Sequence, residues 1–249
     1  MARQKGPFTI SGTLGDVNYY IARGIGYERK PGGGFDGYAI KTKASMQPVR
    51  DNYNEFGTCS RLNKQFRLAL SPLLSGIKGK LFYSRMMQLF LNIKALDTVS
   101  ERGKRTVKQG LQTAKGKRLL KQYHFTPKTP LLRTLTASAS FNWATQQLEI
   151  SHFNPRLFKT PKGTTHIGVT LGVLDFDYDT RDSTLEVSPT YLIDITSSSS
   201  ISLVPDTVTA PMHFGVAVLG VRFYEVTDSD VYDLPVSIGA VVLDCLGCC

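Results

Sequence analysis

The sequence predicts an α+β chain with an N-terminal β-hairpin arm, a central helical segment and a C-terminal antiparallel β-sandwich. Three observations carry this. Between Gln47 and Gln122 apolar residues recur at helical spacing; after Pro127 and Pro130 the period drops to two; before Pro31 short strand-like runs are punctuated by glycine. The boundaries follow as residues 1–46 for the arm and a glycine-rich linker, 47–126 for a basic helical region, and 127–249 for an acidic sandwich.

In the arm, Val17, Tyr19 and Ile21 alternate between turn candidates at Gly15-Asp16 and Arg23 to Gly26. Pro31-Gly32-Gly33-Gly34 reads as a linker, because no Gly-Lys-Ser/Thr follows it as a phosphate loop requires. The first helix should present Val49, Tyr53, Phe56, Leu62, Phe66, Ala69, Leu70 and Leu73 on one face and stop at Pro72 and Gly76. Leu81, Phe82, Met86, Leu89, Phe90, Ile93 and Leu96 give the second a broader apolar face, buried on more than one side. The third run, Val107, Leu111, Leu119 and Leu120, is sparse and carries Gly103, Gly110 and Gly116. Each glycine costs about 1 kcal/mol relative to alanine inside a helix, so an interrupted or weak helix is expected, ordered against a partner.

In the last part, Leu132, Thr134, Thr136, Ser138 and Ser140 alternate with Arg133, Leu135, Ala137, Ala139 and Phe141, which predicts a strand. A hairpin at Leu148–Ser151 and strands at His166–Phe176, Glu186-Val187, Tyr191–Ile195, Ile201–Val204, His213–Tyr224 and Val236–Leu243 follow, with a polar loop at Ser197–Ser200. Short strands with turn signals between them indicate a sandwich.

Gly12-Thr13-Leu14-Gly15-Asp16-Val17-Asn18-Tyr19-Tyr20, then Gly26-Tyr27-x-Arg29-Lys30 and the glycine cluster, resemble the start of uncharacterised proteins encoded in Bacteroidota genomes. Val49-Arg50-Asp51-Asn52-Tyr53-Asn54-Glu55-Phe56-Gly57 looks like their recurrent Arg-x-Asn-x-x-Glu-Phe-Gly helix start. The match covers about the first 70 residues, and beyond it only the layout agrees. The resemblance implies this architecture and a non-enzymatic role. It carries over no functional residue.

Charge is divided along the chain. Residues 1–129 hold 24 Lys/Arg and 7 Asp/Glu, a net +17, and residues 130–249 hold 6 and 13, a net −7. Head-to-tail association would use both halves, as would neutralisation within one monomer; nucleic-acid binding would use only the first. The nucleic-acid reading falls on Arg102, Lys104, Arg105, Lys108, Lys115, Lys117, Arg118 and Lys121, a segment poor in aromatic residues for stacking. Self-association falls on Tyr19, Tyr20, Tyr27, Arg29 and Lys30 of the arm and on Asp175, Asp177 and Asp179.

Those aspartates and Glu186 fit positions 1, 3, 5 and 12 of a calcium loop, but Thr180 stands where the loop needs glycine. The simpler account turns Leu174, Phe176 and Tyr178 inward and the aspartates to water. Cys245 and Cys248 form a Cys-x-x-Cys pair with no second pair beside it, and Cys59, Cys245, Cys248 and Cys249 read as reduced thiols. The four histidines are scattered and no nucleophile elbow is present. No catalytic residue, metal or cofactor is nominated. The expectation is a structural protein that binds copies of itself as a fibre, tube or shell, with nucleic-acid binding or an adhesive, carbohydrate-binding sandwich as alternatives. No apolar run reaches the roughly 18 residues of a membrane span and the first residues lack a signal-peptide core, so the expected location is the cytoplasm or a particle assembled there.

Overall fold

The computed structural model describes all residues except 1, 5, 7, 31–35, 78, 79, 122, 127, 128, 248 and 249, with the side chains of 80, 81 and 235–238 set aside. The glycine-rich linker expected at Pro31–Gly34, the expected boundary at Pro127, and Cys248 and Cys249 lie outside the described residues. The chain forms two compact units, Met1–Asp51 and Asn52–Cys249.

The first unit is a four-stranded antiparallel sheet of β1 (Ala2–Arg3), β2 (Gly12–Leu14), β3 (Val17–Ala22) and β4 (Ile25–Arg29), ordered β1-β4-β3-β2, followed by α1 (Gly37–Thr42). Both expected turns are there. Gly15 adopts φ +56°, and Arg23 and Gly24 take φ +54° and +77°, the pair of positive values that a tight type I′ hairpin needs. Asp36 caps α1 by accepting from the backbone of Tyr38 and Ala39, and Arg50 donates to the carbonyls of Ile40 and Lys43 at its far end.

The second unit begins within α2 (Gln47–Ala69) and continues through α3 (Ser71–Leu74), α4 (Lys80–Lys94), α5 (Val107–Gln112), α6 (Ala114–Lys121) and α7 (Pro130–Ala137). Then come β5 (Ala139–Asn142), β6 (Gln147–Phe153), β7 (His166–Phe176), β8 (Ser183–Val187), β9 (Tyr191–Asp194), β10 (Ser199–Leu203), β11 (Phe214–Val226) and β12 (Val231–Gly247). They build a five-stranded sheet, β12-β11-β7-β8 with β9 also on β7, and a three-stranded sheet, β10-β6-β5.

Both faces of the larger sheet are covered. Ile167, Val169 and Leu171 of β7 and Leu219, Val221 and Phe223 of β11 share a core with Ile150, Phe153 and Ile201 of the small sheet and Leu132 and Leu135 of α7. Leu174, Phe176, Val216, Val218, Ala240 and Val242 face Phe66, Met86, Phe90, Ile93 and Leu120 of the helices. The sandwich thus has a helical layer on its outer side, which is why β7 and β11 read as near-continuous apolar runs. Leu73 sits against Gly172 and Gly220, where a Cβ on either glycine would meet it. Arg222 fixes α3 by donating to the carbonyls of Pro72 and Ser75 at 3.0 and 3.1 Å.

Two expectations are corrected. Residues 130–137 are helical. Pro130 occupies the first turn, Thr129 accepts from Leu132 N at 3.3 Å as the N-cap, and Leu131, Leu132 and Leu135 bury one face. The strand begins only at Ala139. In α2, Tyr53 and Phe56 are exposed, whereas Glu55 and Cys59 of the intervening face are buried with Leu62 and Phe66. The helix turns a carboxylate inward because the helical layer supplies a cation for it.

That cation is Lys94. It pairs with Glu55, which also accepts from Gly103 N at 2.8 Å and faces Arg105 at 4.0 Å. Asp97, equally buried, accepts from the backbone of Val99, Ser100 and Thr106 at 2.9–3.0 Å. Burial opposes ionisation of both carboxyls, but these partners outweigh it, so each sits below its ordinary value. A carboxyl lowered by folding contributes stability above its unfolded value of about 4 and loses it as the pH falls through the folded value. Urea midpoints followed by circular dichroism should therefore drop steadily below pH about 4, and Asp97→Asn should flatten that slope.

Candidate functional site

In the arm, cross-strand pairing sorts the residues named from sequence onto two faces. Tyr20 stands opposite Tyr27 and Asn18 opposite Arg29, so these share a face; Val17, Tyr19 and Ile21 lie on the other with Leu14. Tyr20 and Tyr27 stack with ring centroids 5.6 Å apart, and the Arg29 guanidinium lies over Tyr20 at 5.6 Å. Tyr19 is not part of this stack, and Lys30 follows β4, exposed. Gln4 ties the preceding segment to the sheet, donating to Ile10 O and Tyr27 O and accepting from Ile10 N, and its side chain lies over Gly26. Little else is enclosed. Among the described residues of this unit only Gly26 and Ala39 are buried, while Phe8, Ile10, Leu14, Ile21, Ile25 and Tyr38 are exposed.

The basic segment is two short helices broken at Thr113, and its ordering partner is its own chain. A Cβ at Gly110 would overlap the Ile93 carbonyl, and one at Gly116 the Gly110 carbonyl, so the glycines allow α4, α5 and α6 to touch through their backbones. Half of its eight cations meet a carboxylate within the unit. Lys108 pairs with Asp179, Lys121 with Asp244 at 3.1 Å, Lys104 with Glu101 at 2.9 Å, and Arg105 faces Glu55. Arg102 donates to Asn52 at 3.4 Å. Lys117 is half-buried beside Gly247; Lys115 and Arg118 are exposed without a partner among the described residues.

The aspartates have local partners as well. Asp175 accepts from Met212 N and His213 N, both at 2.9 Å, and meets His213 Nδ1 at 3.1 Å. Asp177 caps the turn that follows β7, accepting from Asp179 N at 2.8 Å and the Thr180 hydroxyl at 3.0 Å. Those bonds, with His213 nearby, keep its carboxyl below the usual range despite partial burial. Leu174 and Phe176 point into the core as alternation requires, and no metal-holding group of three or more His, Cys, Asp or Glu occurs among the described residues. Burial pushes the thiols of Cys59 and Cys245 up to about 11, which leaves them protonated and unreactive at neutral pH.

Sequence reasoning missed the acidic tip between β11 and β12. Glu225, Asp228, Asp230 and Asp233 are exposed there beside Val231 and Tyr232, both more than half exposed. The signal was the density of acids around Ser229 between two strands. No helix among the described residues is long and apolar enough to cross a membrane. The chain matches no protein-family model, no curated protein and no solved structure.

Proposed function

We propose that the protein is a non-enzymatic structural subunit that self-associates through its N-terminal sheet. The observation that carries this is the thin, open arm. A sheet of four short strands with almost nothing buried inside it needs another surface to be stable. Leu14 and Ile21 lie on one face of it, both exposed. The occupant we assign is the β11–β12 tip of a second copy. That tip is acidic and apolar at once, and the arm unit is basic, with 8 Lys/Arg against 4 Asp/Glu. Such a contact is heterologous, joining different surfaces, and builds rings or filaments. Nucleic-acid binding through residues 102–121 is less well supported, because Lys104, Arg105, Lys108 and Lys121 face carboxylates of their own chain. The Bacteroidota resemblance and a location in the cytoplasm, or in a particle assembled there, belong to the same proposal.

The test is light scattering with negative-stain microscopy on nuclease-treated protein at low and high salt. The native chain is expected to form regular assemblies that weaken in high salt. Leu14→Asp with Ile21→Asp should give monomers in which the unit from Asn52 onward melts at an unchanged temperature. A native chain that stays monomeric at both salts, or a double variant that assembles as the native chain does, would falsify the reading.

A further inference from the structure

A second surface shares no residue with the arm or with the acidic tip. Strand β12 carries a bulge at Leu243: Val242 lies opposite Val218 and Asp244 opposite Ala217, so Leu243 has no residue facing it. Bulges bend a strand, re-aim its side chains and gather beside binding sites. Here the bulge borders a groove of about 700 Å³, a size that suits a small molecule. Arg118 and Lys121 of α6 line it together with Ser140 and Phe141 of β5, and His124 and Asp244 are among the other lining residues.

The charges there are unequal. Lys121 and Asp244 neutralise each other at 3.1 Å, which leaves the Arg118 guanidinium exposed with no ion-pair or hydrogen-bond partner among the described residues. A guanidinium presents a rigid fork of donors that matches two phosphate oxygens. The Ser140 hydroxyl is also exposed and unpartnered among the described residues, and so available to donate. Phe141 is half-buried and perpendicular to Trp143, at 5.0 Å between centroids, which holds a fixed ring at the groove wall. With one cation unopposed, the groove suits a small anion better than a polyanion, which gains affinity by neutralising many phosphates at once.

We propose that this groove binds a small phosphate monoester bearing a planar ring, a ligand of the nucleoside-monophosphate class. Arg118 takes the phosphate, Ser140 donates to it, and Phe141 flanks the ring. The site is independent of self-association and would persist in a monomeric arm variant.

Calorimetric titration of the full chain with AMP at constant ionic strength tests it, with inorganic phosphate, adenosine and a short single-stranded oligonucleotide as parallel probes. AMP should bind saturably, and phosphate and adenosine each at least about tenfold more weakly. Arg118→Glu lies on an exposed position, so the melting temperature should hold while AMP affinity falls at least about tenfold. Ser140→Ala should weaken AMP and leave adenosine unchanged. The proposal is overturned if AMP shows no saturable binding or binds Arg118→Glu as tightly as the native chain. Inorganic phosphate binding as tightly as AMP would remove the ring-flanking role of Phe141. Tighter, Arg118-dependent binding of the oligonucleotide would make the groove part of a nucleic-acid face instead.

Discussion

Replacing Glu55 with alanine is expected to cost about 3–5 kcal/mol of folding stability, read from urea unfolding by circular dichroism. The cost lies in what is left behind. Lys94 keeps its charge in a nearly closed site, Arg105 loses the carboxylate it faces, and the Gly103 N–H loses its acceptor. Two ions withdrawn from water are held by each other, so removing one exposes the full desolvation penalty of the other. The same argument predicts that Glu55→Met combined with Lys94→Met recovers most of the loss, because no charge then remains to be buried. A single-variant cost below about 1 kcal/mol would mean that the pair is worth no more than one on the surface. Glu55 therefore has a structural task, fastening α2 to α4 and to the loop that leads into α5.

Gly110→Ala should be destabilising by about 2–4 kcal/mol, although helix propensity alone forecasts a gain of about 1 kcal/mol. The sign decides between the two accounts. In a solvated, weakly formed helix the added methyl would help. In the packed α4–α5 contact it collides with the Ile93 carbonyl, which is backbone and has no rotamer to adopt. A stabilised Gly110→Ala protein would refute that close approach. Gly37→Ala serves as the control, since its added methyl meets nothing within 4 Å.

These two positions also show where the sequence was legible. The runs from His166 onward were found to within a few residues, except at β12, because a sheet covered on both faces demands long β-branched stretches that no helix pattern imitates. The helix at 130–137 was not found, since Leu, Thr and Ala at those positions satisfy a period of two as well as one of 3.6. Only the cap at Thr129 and the first-turn Pro130 separated the choices. Tyr53 and Phe56 misled in the other direction, because apolarity marks a candidate face and only the partner layer decides which face is covered. Gly110 and Gly116 looked like weaknesses because the backbones they admit are distant in the pattern. The groove was invisible for a similar reason. Its lining comes from residues 118–124, 136–141 and 241–244, and nothing in any one piece announces the others.

Strand β12 follows every other element of its unit, yet it pairs along the length of β11 and supplies Ala240 and Val242 to one core and Val241 to the other. A ribosome adding about 5–20 residues per second completes α6 on the order of 10 s before it completes β12. Through that interval the apolar faces of α2, α4 and α6 have no finished sheet to lie on. Closure of this unit consequently waits until β12 has been made, and a nascent chain interrupted before Val231 is a client for chaperones and proteases. Production at lower temperature, or alongside a holdase, should raise the yield of folded protein for that reason.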